Sequence, residues 1–218
     1  MATATDTFTG GTFGDALSTH TADTGETWTL GTSKIGSMTL DGAGAVRGNI
    51  DATEGQYYSS FVPGAADYDV TVTVGAYTGN NLPYPIGRYA TGADTFIMAN
   101  FRSSIPQWEI REYTAGTPTT LASGTSTAPV ANDVIKLNLV GTTVKLYVNA
   151  SNYLTGTTTI TAVGRPGIGP GDSTANTATA WSAVDAGGGP SAGTDTATAG
   201  LTESLNTVSV TLSIQESG

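Results

Sequence analysis

Two glutamates in the run Glu109-Ile110-Arg111-Glu112 are the nearest match in this chain to a catalytic carboxylate pair. Retaining glycosidases place two carboxyl groups about 5 Å apart, on either side of one glycosidic bond. Successive side chains of a β-strand point to opposite faces, so an odd spacing sends Glu109 and Glu112 to different faces. They cannot then flank one sugar ring. We expect the chain not to be an enzyme, and glycan hydrolysis is the least favoured function.

Other residue types that supply catalytic or metal-binding groups are scarce. His20 is the single histidine, and the chain has no cysteine. A thiolate zinc site and a site of several histidines are therefore excluded, and a serine nucleophile would have only this one histidine as its base. Since His20 lies in a stretch rich in Thr, Asp and Gly, we expect it to be a solvated loop residue.

The elements that must position any site are predicted to be β-strands. Every second residue of the stretch 68–74 is Tyr or Val, which is typical of a half-buried antiparallel strand. The same alternation on both sides of Gly141-Thr142 predicts a hairpin over 135–148. Turn residues separate further predicted strands at 38–40, 45–47, 56–62, 86–89, 95–102, 107–113 and 179–184.

Composition supports an all-β protein and excludes several partners. The chain is rich in Thr, Ala and Gly, with 29 glycines among 218 residues. Its 18 acidic and 8 basic residues give a net charge of −10, without a basic cluster to bind the phosphates of nucleic acid. There is no apolar run long enough to cross a membrane and no signal-peptide pattern at the N-terminus. We expect synthesis in the host cytoplasm.

A change of composition at Asp185-Ala186-Gly187-Gly188-Gly189-Pro190 predicts a domain boundary. We assign residues 1–187 to one β-sandwich domain and 188–218 to a Gly/Pro linker with a short C-terminal β extension. Apolar residues alternate with polar ones in that extension, at Val208, Val210, Leu212 and Ile214. An isolated strand is unstable in water, so it must pair with the domain, with other copies of the chain or with another protein.

A series of short segments forms the landmarks of the sequence. In chain order they are Asp6-Thr7-Phe8-Thr9-Gly10, Glu26-Thr27-Trp28-Thr29-Leu30, Ile86-Gly87-Arg88-Tyr89, Asp94-Thr95-Phe96-Ile97, Trp108-Glu109-Ile110-Arg111-Glu112-Tyr113, Thr120-Leu121-Ala122-Ser123, Lys145-Leu146-Tyr147-Val148-Asn149, Arg165-Pro166-Gly167-Ile168-Gly169 and Trp181-Ser182-Ala183-Val184-Asp185. Their order resembles that of the concanavalin A-like, laminin-G-like jelly rolls found in phage structural proteins and carbohydrate-binding modules. The likeness covers roughly residues 5 to 187.

The resemblance implies an antiparallel β-sandwich, or jelly roll, in which the first and last strands are neighbours. Sugar-binding modules of this fold use a face or rim with aromatic and polar side chains. Arg88, Tyr89, Glu109, Arg111 and Tyr113 are the candidate glycan-binding residues. The alternative is that Glu109, Arg111 and Tyr113 form an ordinary solvated face while their neighbours Trp108 and Ile110 fill the core.

Metal binding is a weaker expectation of the same resemblance. Asp6 and Asp185 flank the terminal strands, and their carboxylates are of the kind that bind a structural Ca²⁺. We expect no other cofactor.

The favoured function is that of a non-enzymatic virion structural protein, either tail-associated or decorating the capsid, with its jelly roll exposed on the particle. Other virion proteins and further copies of the chain would then be its partners, with the C-terminal strand serving assembly. The alternative is a lectin-like carbohydrate-binding module that attaches to a host or environmental glycan.

Overall fold

A computed structural model describes residues 2–31, 38–48, 55–79, 81–171 and 174–185. This part of the chain forms fifteen β-strands and one short 3-10 helix, Leu17–Thr19. The strands are β1 Thr3–Asp6, β2 Trp28–Leu30, β3 Met38–Leu40, β4 Val46–Gly48, β5 Tyr57–Ser59, β6 Tyr68–Val74, β7 Tyr84–Ala90, β8 Thr95–Arg102, β9 Gln107–Thr114, β10 Thr117–Thr125, β11 Val134–Val140, β12 Thr143–Val148, β13 Ser151–Thr157, β14 Arg165–Gly169 and β15 Thr177–Asp185. No helix in this part is long and apolar enough to span a membrane.

The strands form two antiparallel sheets, which confirms the predicted β-sandwich. The first sheet has eight strands in the order β13-β12-β11-β6-β15-β4-β3, with β1 paired to β15 off this path. The second has seven, in the order β10-β9-β8-β7-β14-β5-β2. Neighbours in these orders are often distant in sequence, as expected for a jelly roll.

The core lies between the two sheets and is built from the alternate residues of their strands. In β6, Tyr68, Val70, Val72 and Val74 are buried and the residues between them are partly exposed. The second sheet faces them with residues such as Ile97, Phe101, Trp108 and Ile110. Period-2 alternation in the sequence therefore identified the core face correctly.

The predicted hairpin is confirmed as β11 and β12, with Ile135 opposite Val148 and Leu139 opposite Val144. Gly141 opens the two-residue turn with a positive φ of 54°, a conformation that glycine adopts at no steric cost. Strands without regular alternation of large apolar residues, such as β1 and β13, escaped sequence analysis.

The first and last described strands are neighbours, as the resemblance implied. Antiparallel pairing of β1 with β15 places Thr3 opposite Val184 and Asp6 opposite Trp181. The amide of Asp185 donates a hydrogen bond to the carbonyl of Ala2, at 3.0 Å. The C-terminal β extension, with Val208, Val210, Leu212 and Ile214, and the boundary at 187/188 lie outside the described residues.

Candidate functional site

The face of the seven-stranded sheet that points away from the shared core carries a separate cluster of large side chains. We call it the outer face. Its buried members are Tyr84, Ile86, Tyr89, Phe96, Met98 and Tyr113, and Tyr58 packs against them. In β8 they alternate with Ile97 and Ala99, which lie in the core between the sheets.

Four rings of the outer face form a stack that runs across the sheet, which we call the aromatic ladder. Ring centroids are 4.9 Å apart between Tyr58 and Tyr89, 5.7 Å between Tyr89 and Phe96, and 4.5 Å between Phe96 and Tyr113. Since Tyr89 and Phe96 each stack on a ring at both sides, neither has a free face for a sugar. Tyr89 and Tyr113 are only 1% and 5% exposed.

Polar side chains occupy the outer face beyond the ladder, on β8 and β9. Asn100 lies opposite Glu109, and Arg102 lies opposite Gln107. By alternation Arg111 shares this face, between Glu109 and the ladder. We call these five residues the polar strip. It is a mixed set of donors and acceptors on two adjacent strands.

The carboxylate of Glu109 is the centre of the polar strip. Its Oε2 lies 2.6 Å from Nη2 of Arg111, and its Oε1 lies 3.7 Å from Nη1 of Arg102. The Gln107 amide also donates to Oε1. Such contacts offset the cost of removing a carboxylate from water, which explains how Glu109 is only 2% exposed.

Three polar atoms of the strip are buried without a hydrogen-bond partner. One is Oε2 of Glu109, although it forms the ion pair with Arg111 Nη2. The other two are Oδ1 of Asn100, an acceptor, and Nε of Arg111, a donor. The residues lie diagonally across from each other, because Asn100 pairs with Glu109 and Met98 pairs with Arg111. A buried unpaired polar atom costs about 1–3 kcal/mol, so these atoms without hydrogen-bond partners require an explanation.

The solvated-face alternative for Glu109 and Tyr113 is wrong, because both side chains are buried. The predicted separation of the two glutamates is confirmed. Glu112 lies on the other side of β9, where its carboxylate accepts hydrogen bonds from the Thr158 hydroxyl at 2.7 Å and the Thr159 amide at 3.0 Å. The two carboxylates do not share a cleft.

Arg88 does not lie with the other predicted glycan-binding residues. A β-bulge between Gly87 and Ala90 and a φ of +51° at Arg88 break the alternation of β7. The guanidinium instead donates to Ala66 O at 3.0 Å and Ile160 O at 2.5 Å, and it lies 3.4 Å from the Asp67 carboxylate. Burial lowers the pKa of Arg88, and the electrostatic interactions with Tyr68 and Asp67 partly offset this shift. Arg88 therefore links the loop at Ala66 and Asp67 to the loop at Ile160.

Asp6 and Asp185 are not brought together as calcium ligands. Asp6 pairs with Trp181, four residues before Asp185 on β15, which is about 13 Å along a strand. The buried Asp6 carboxylate accepts bonds from the Phe8 amide at 2.7 Å, Trp28 Nε1 at 2.8 Å and His20 Nε2 at 2.9 Å. No group of three or more potential ligands for a metal occurs within the described ranges.

His20 is therefore a buried partner of Asp6, and the expectation of a solvated loop residue is wrong. Only 6% of its side chain is exposed. The sequence contained no local signal for this contact, because the pairing joins residues fourteen positions apart across a loop.

A shallow cavity of about 310 Å³ lies beside Tyr89, between Val62 and Val163. Among its polar groups, Arg165 donates to the Ser60 carbonyl, and the Gly164 carbonyl accepts from the Tyr68 hydroxyl at 3.0 Å. Thr91 also lines the cavity. The polar strip is the stronger candidate site, because it contains buried polar atoms without a hydrogen-bond partner.

Several solved structures share the fold. The carbohydrate-binding module CBM66 from Bacillus subtilis has a TM-score of 0.55 at 17% identity, covering 70% of this chain and 91% of that chain. The exoplasmic/lumenal domain of VIP36 in its Ca²⁺/Man2-bound form has a TM-score of 0.55 at 12% identity, covering 78% and 86%. No protein-family model matches the sequence, and no curated protein matches it.

At these identities the comparison establishes a lectin-like jelly-roll fold and nothing finer. It confirms the concanavalin A-like architecture that the sequence resemblance implied.

Proposed function

We propose that this chain is a non-enzymatic, lectin-like carbohydrate-binding module, and that the polar strip on the outer face contacts the sugar. One observation carries the proposal: a buried unpaired acceptor, Asn100 Oδ1, and a buried unpaired donor, Arg111 Nε, lie on adjacent strands of the same face. The lectin-like fold of the chain supports the same function.

Carbohydrate hydroxyls suit these two atoms chemically. A hydroxyl both donates and accepts hydrogen bonds, so neighbouring hydroxyls of one sugar can satisfy Asn100 Oδ1 and Arg111 Nε together. A site built in this way discriminates strongly against ligands that leave its buried groups unpaired. The unmet hydrogen bonds of the free protein then become the source of specificity.

A sugar reaches the strip through its partly exposed guanidinium groups. The side chains of Arg102 and Arg111 are 40% and 22% exposed, whereas that of Glu109 is 3% exposed. Glu109 thus orients the two arginines from below, and the arginines meet the ligand. The stacked rings of the aromatic ladder support the adjacent end of the strip.

The substitution Asn100→Leu tests this function. Leucine has the same branched skeleton of heavy atoms as asparagine but no acceptor, so we expect the variant to lose glycan binding at least about tenfold. We expect it to fold with unchanged or higher stability, because a buried unpaired atom has been removed. The measurements are a glycan array with and without Ca²⁺, calorimetric titration of the best glycan, and thermal unfolding.

Lys145→Gln is the matched control, since Lys145 lies on β12 of the other sheet. Its binding should equal that of the unmodified protein. Absence of binding to every glycan on the array, or full binding by Asn100→Leu, would refute the proposal. A reducing-sugar assay on the bound glycan should show no cleavage.

From sequence alone we also propose that the module is carried on a phage particle as a tail-associated or capsid-surface protein. The acidic, cysteine-free, Thr-rich and Gly-rich composition supports this location, and glycan attachment is compatible with it. Labelling intact particles with an antibody to the jelly roll and imaging them by electron microscopy tests it. Unlabelled particles would contradict the proposal.

A further inference from the structure

We propose that the glycan carries a carboxylate, as a uronic acid does. The inference rests on the proposed function and names the ligand class of the same site. Its basis is the charge of the polar strip, in which Arg102 and Arg111 accompany the single carboxylate of Glu109. Two positive charges and one negative charge leave a formal charge of +1.

On the outer face of the described strands β7 to β10, no other charged residue cancels this excess. Along the described strands β7 to β10, the remaining outer-face positions are aromatic, aliphatic or neutral polar residues. Glu112, the other carboxylate of β9, lies on the opposite face and is held by Thr158 and Thr159. A surface of opposite sign is thus set into a chain of net charge −10.

The two arginines differ in how far Glu109 engages them. Arg111 lies at 2.6 Å and Arg102 at 3.7 Å from the Glu109 oxygens. Arg102 is also the more exposed, and its Nε donates only to the Ser104 hydroxyl, at 3.3 Å. A planar guanidinium with free N–H groups binds a carboxylate through two parallel hydrogen bonds.

Distance limits the repulsion from the rest of the acidic chain. At physiological ionic strength charges are screened over about 8 Å, so a bound carboxylate interacts chiefly with the polar strip. The carboxylate then lies on Arg102, while the hydroxyls of the same sugar satisfy Asn100 Oδ1 and Arg111 Nε.

The experiment compares two trisaccharides that differ only at C6, α-1,4-linked trigalacturonic acid and neutral α-1,4-linked galactotriose. Calorimetric titrations at low salt should give about tenfold tighter binding of the acid, because a hydrogen bond between charged groups is the stronger kind. The preference should shrink as salt is raised. The full-length chain is used throughout.

Three variants locate the effect. Arg102→Gln should remove the preference for the acid, so that its loss of affinity is larger for trigalacturonic acid than for the neutral trisaccharide. Asn100→Leu should weaken both ligands, and Lys145→Gln should change neither. Polyglutamate, an acidic polymer without sugar hydroxyls, should bind more weakly than trigalacturonic acid.

The outcomes separate this inference from the proposed function. Equal affinity for the two trisaccharides, or a preference that survives Arg102→Gln, overturns the carboxylate inference while glycan binding stands. Polyglutamate binding as tightly as trigalacturonic acid also overturns it, because the strip would then recognise charge alone. Failure to bind any glycan on the array removes the proposed function and the inference together.

Discussion

At the scale of single residues, Asp6 and Asn100 are opposite cases of a buried polar group. The Asp6 carboxylate accepts three hydrogen bonds from Phe8, His20 and Trp28, so its burial is compensated. The Asn100 Oδ1 has no partner. Compensation indicates a structural role for Asp6, whereas the unpaired atom of Asn100 is the observation on which the proposed sugar site rests.

The first prediction concerns Asp6. Asp6→Ala leaves the Trp28 indole N–H and the His20 ring without their acceptor inside the protein, so we expect the free energy of unfolding to fall by about 3 kcal/mol. Urea titration followed by tryptophan fluorescence measures the change. Asp185→Ala is the control, because Asp185 accepts only the Gly64 amide, at 3.2 and 3.4 Å, and should cost under about 1 kcal/mol. Equal losses in the two variants would contradict this role of Asp6.

Prediction from sequence succeeded at single residues where odd or even spacing along a strand decides which face a side chain occupies. It failed where the position of a side chain depends on a partner distant in sequence. The three-residue spacing was enough to separate Glu109 from Glu112, since the strand itself imposes the alternation. His20 was misplaced because its partner comes from β1. Asn100, Arg102 and Gln107 were missed, because their contact with Glu109 depends on the register between β8 and β9.

At the scale of elements, β14 shapes the outer face by lacking side chains there. Gly169 lies opposite Tyr84, and a Cβ at Gly169 would lie 2.0 Å from Cε2 of the Tyr84 ring. The ring therefore occupies the space that a larger residue would take. The glycine allows Tyr84 to lie flat across the neighbouring strand.

The second prediction tests this contact. Gly169→Ala should lower the free energy of unfolding by about 1–3 kcal/mol, because the ring must move out of a packed cluster. The control is Gly64→Ala, where the added Cβ would lie 3.4 Å from the nearest atom and should have little effect. Combining Gly169→Ala with Tyr84→Ala should show a smaller cost for the glycine change than in the unmodified protein. Strictly additive losses would exclude this explanation.

The bulge in β7 shows what an element-level reading of the sequence leaves out. Regular alternation of 86–89 places Arg88 on the face of Ile86, but the positive φ at Arg88 turns its guanidinium to the loops and brings Tyr89 to the ladder. Bulges depend on the pairing partner as much as on the strand itself. Long alternating strands such as β6 were predicted, and this irregularity was not.

At the scale of the whole molecule, the first described strand, β1, is paired with the last, β15, so the sandwich needs no strand beyond residue 185 to pair its N-terminal strand. Removal of residues 190–218 should therefore leave a folded and soluble jelly roll with an unchanged thermal midpoint. We expect the truncated chain to lose self-association, because Val208, Val210, Leu212 and Ile214 are removed. Light scattering measures the mass, and an unchanged assembly state would contradict an assembly role for this segment.

The same pairing has a consequence for protein engineering. Ala2 and Asp185 share a hydrogen bond of 3.0 Å, so the chain enters and leaves the described sandwich at neighbouring points. They lie near Tyr68, whose hydroxyl accepts from the amide of Arg88, next to Tyr89. Tyr89 stacks on Phe96, and Arg102 lies six residues further along β8, which is about 20 Å from Phe96. Grafted into a surface loop of an unrelated host protein, the sandwich would not stretch that loop. It would hold Arg102, and with it the proposed sugar site, at the opposite end of the seven-stranded sheet.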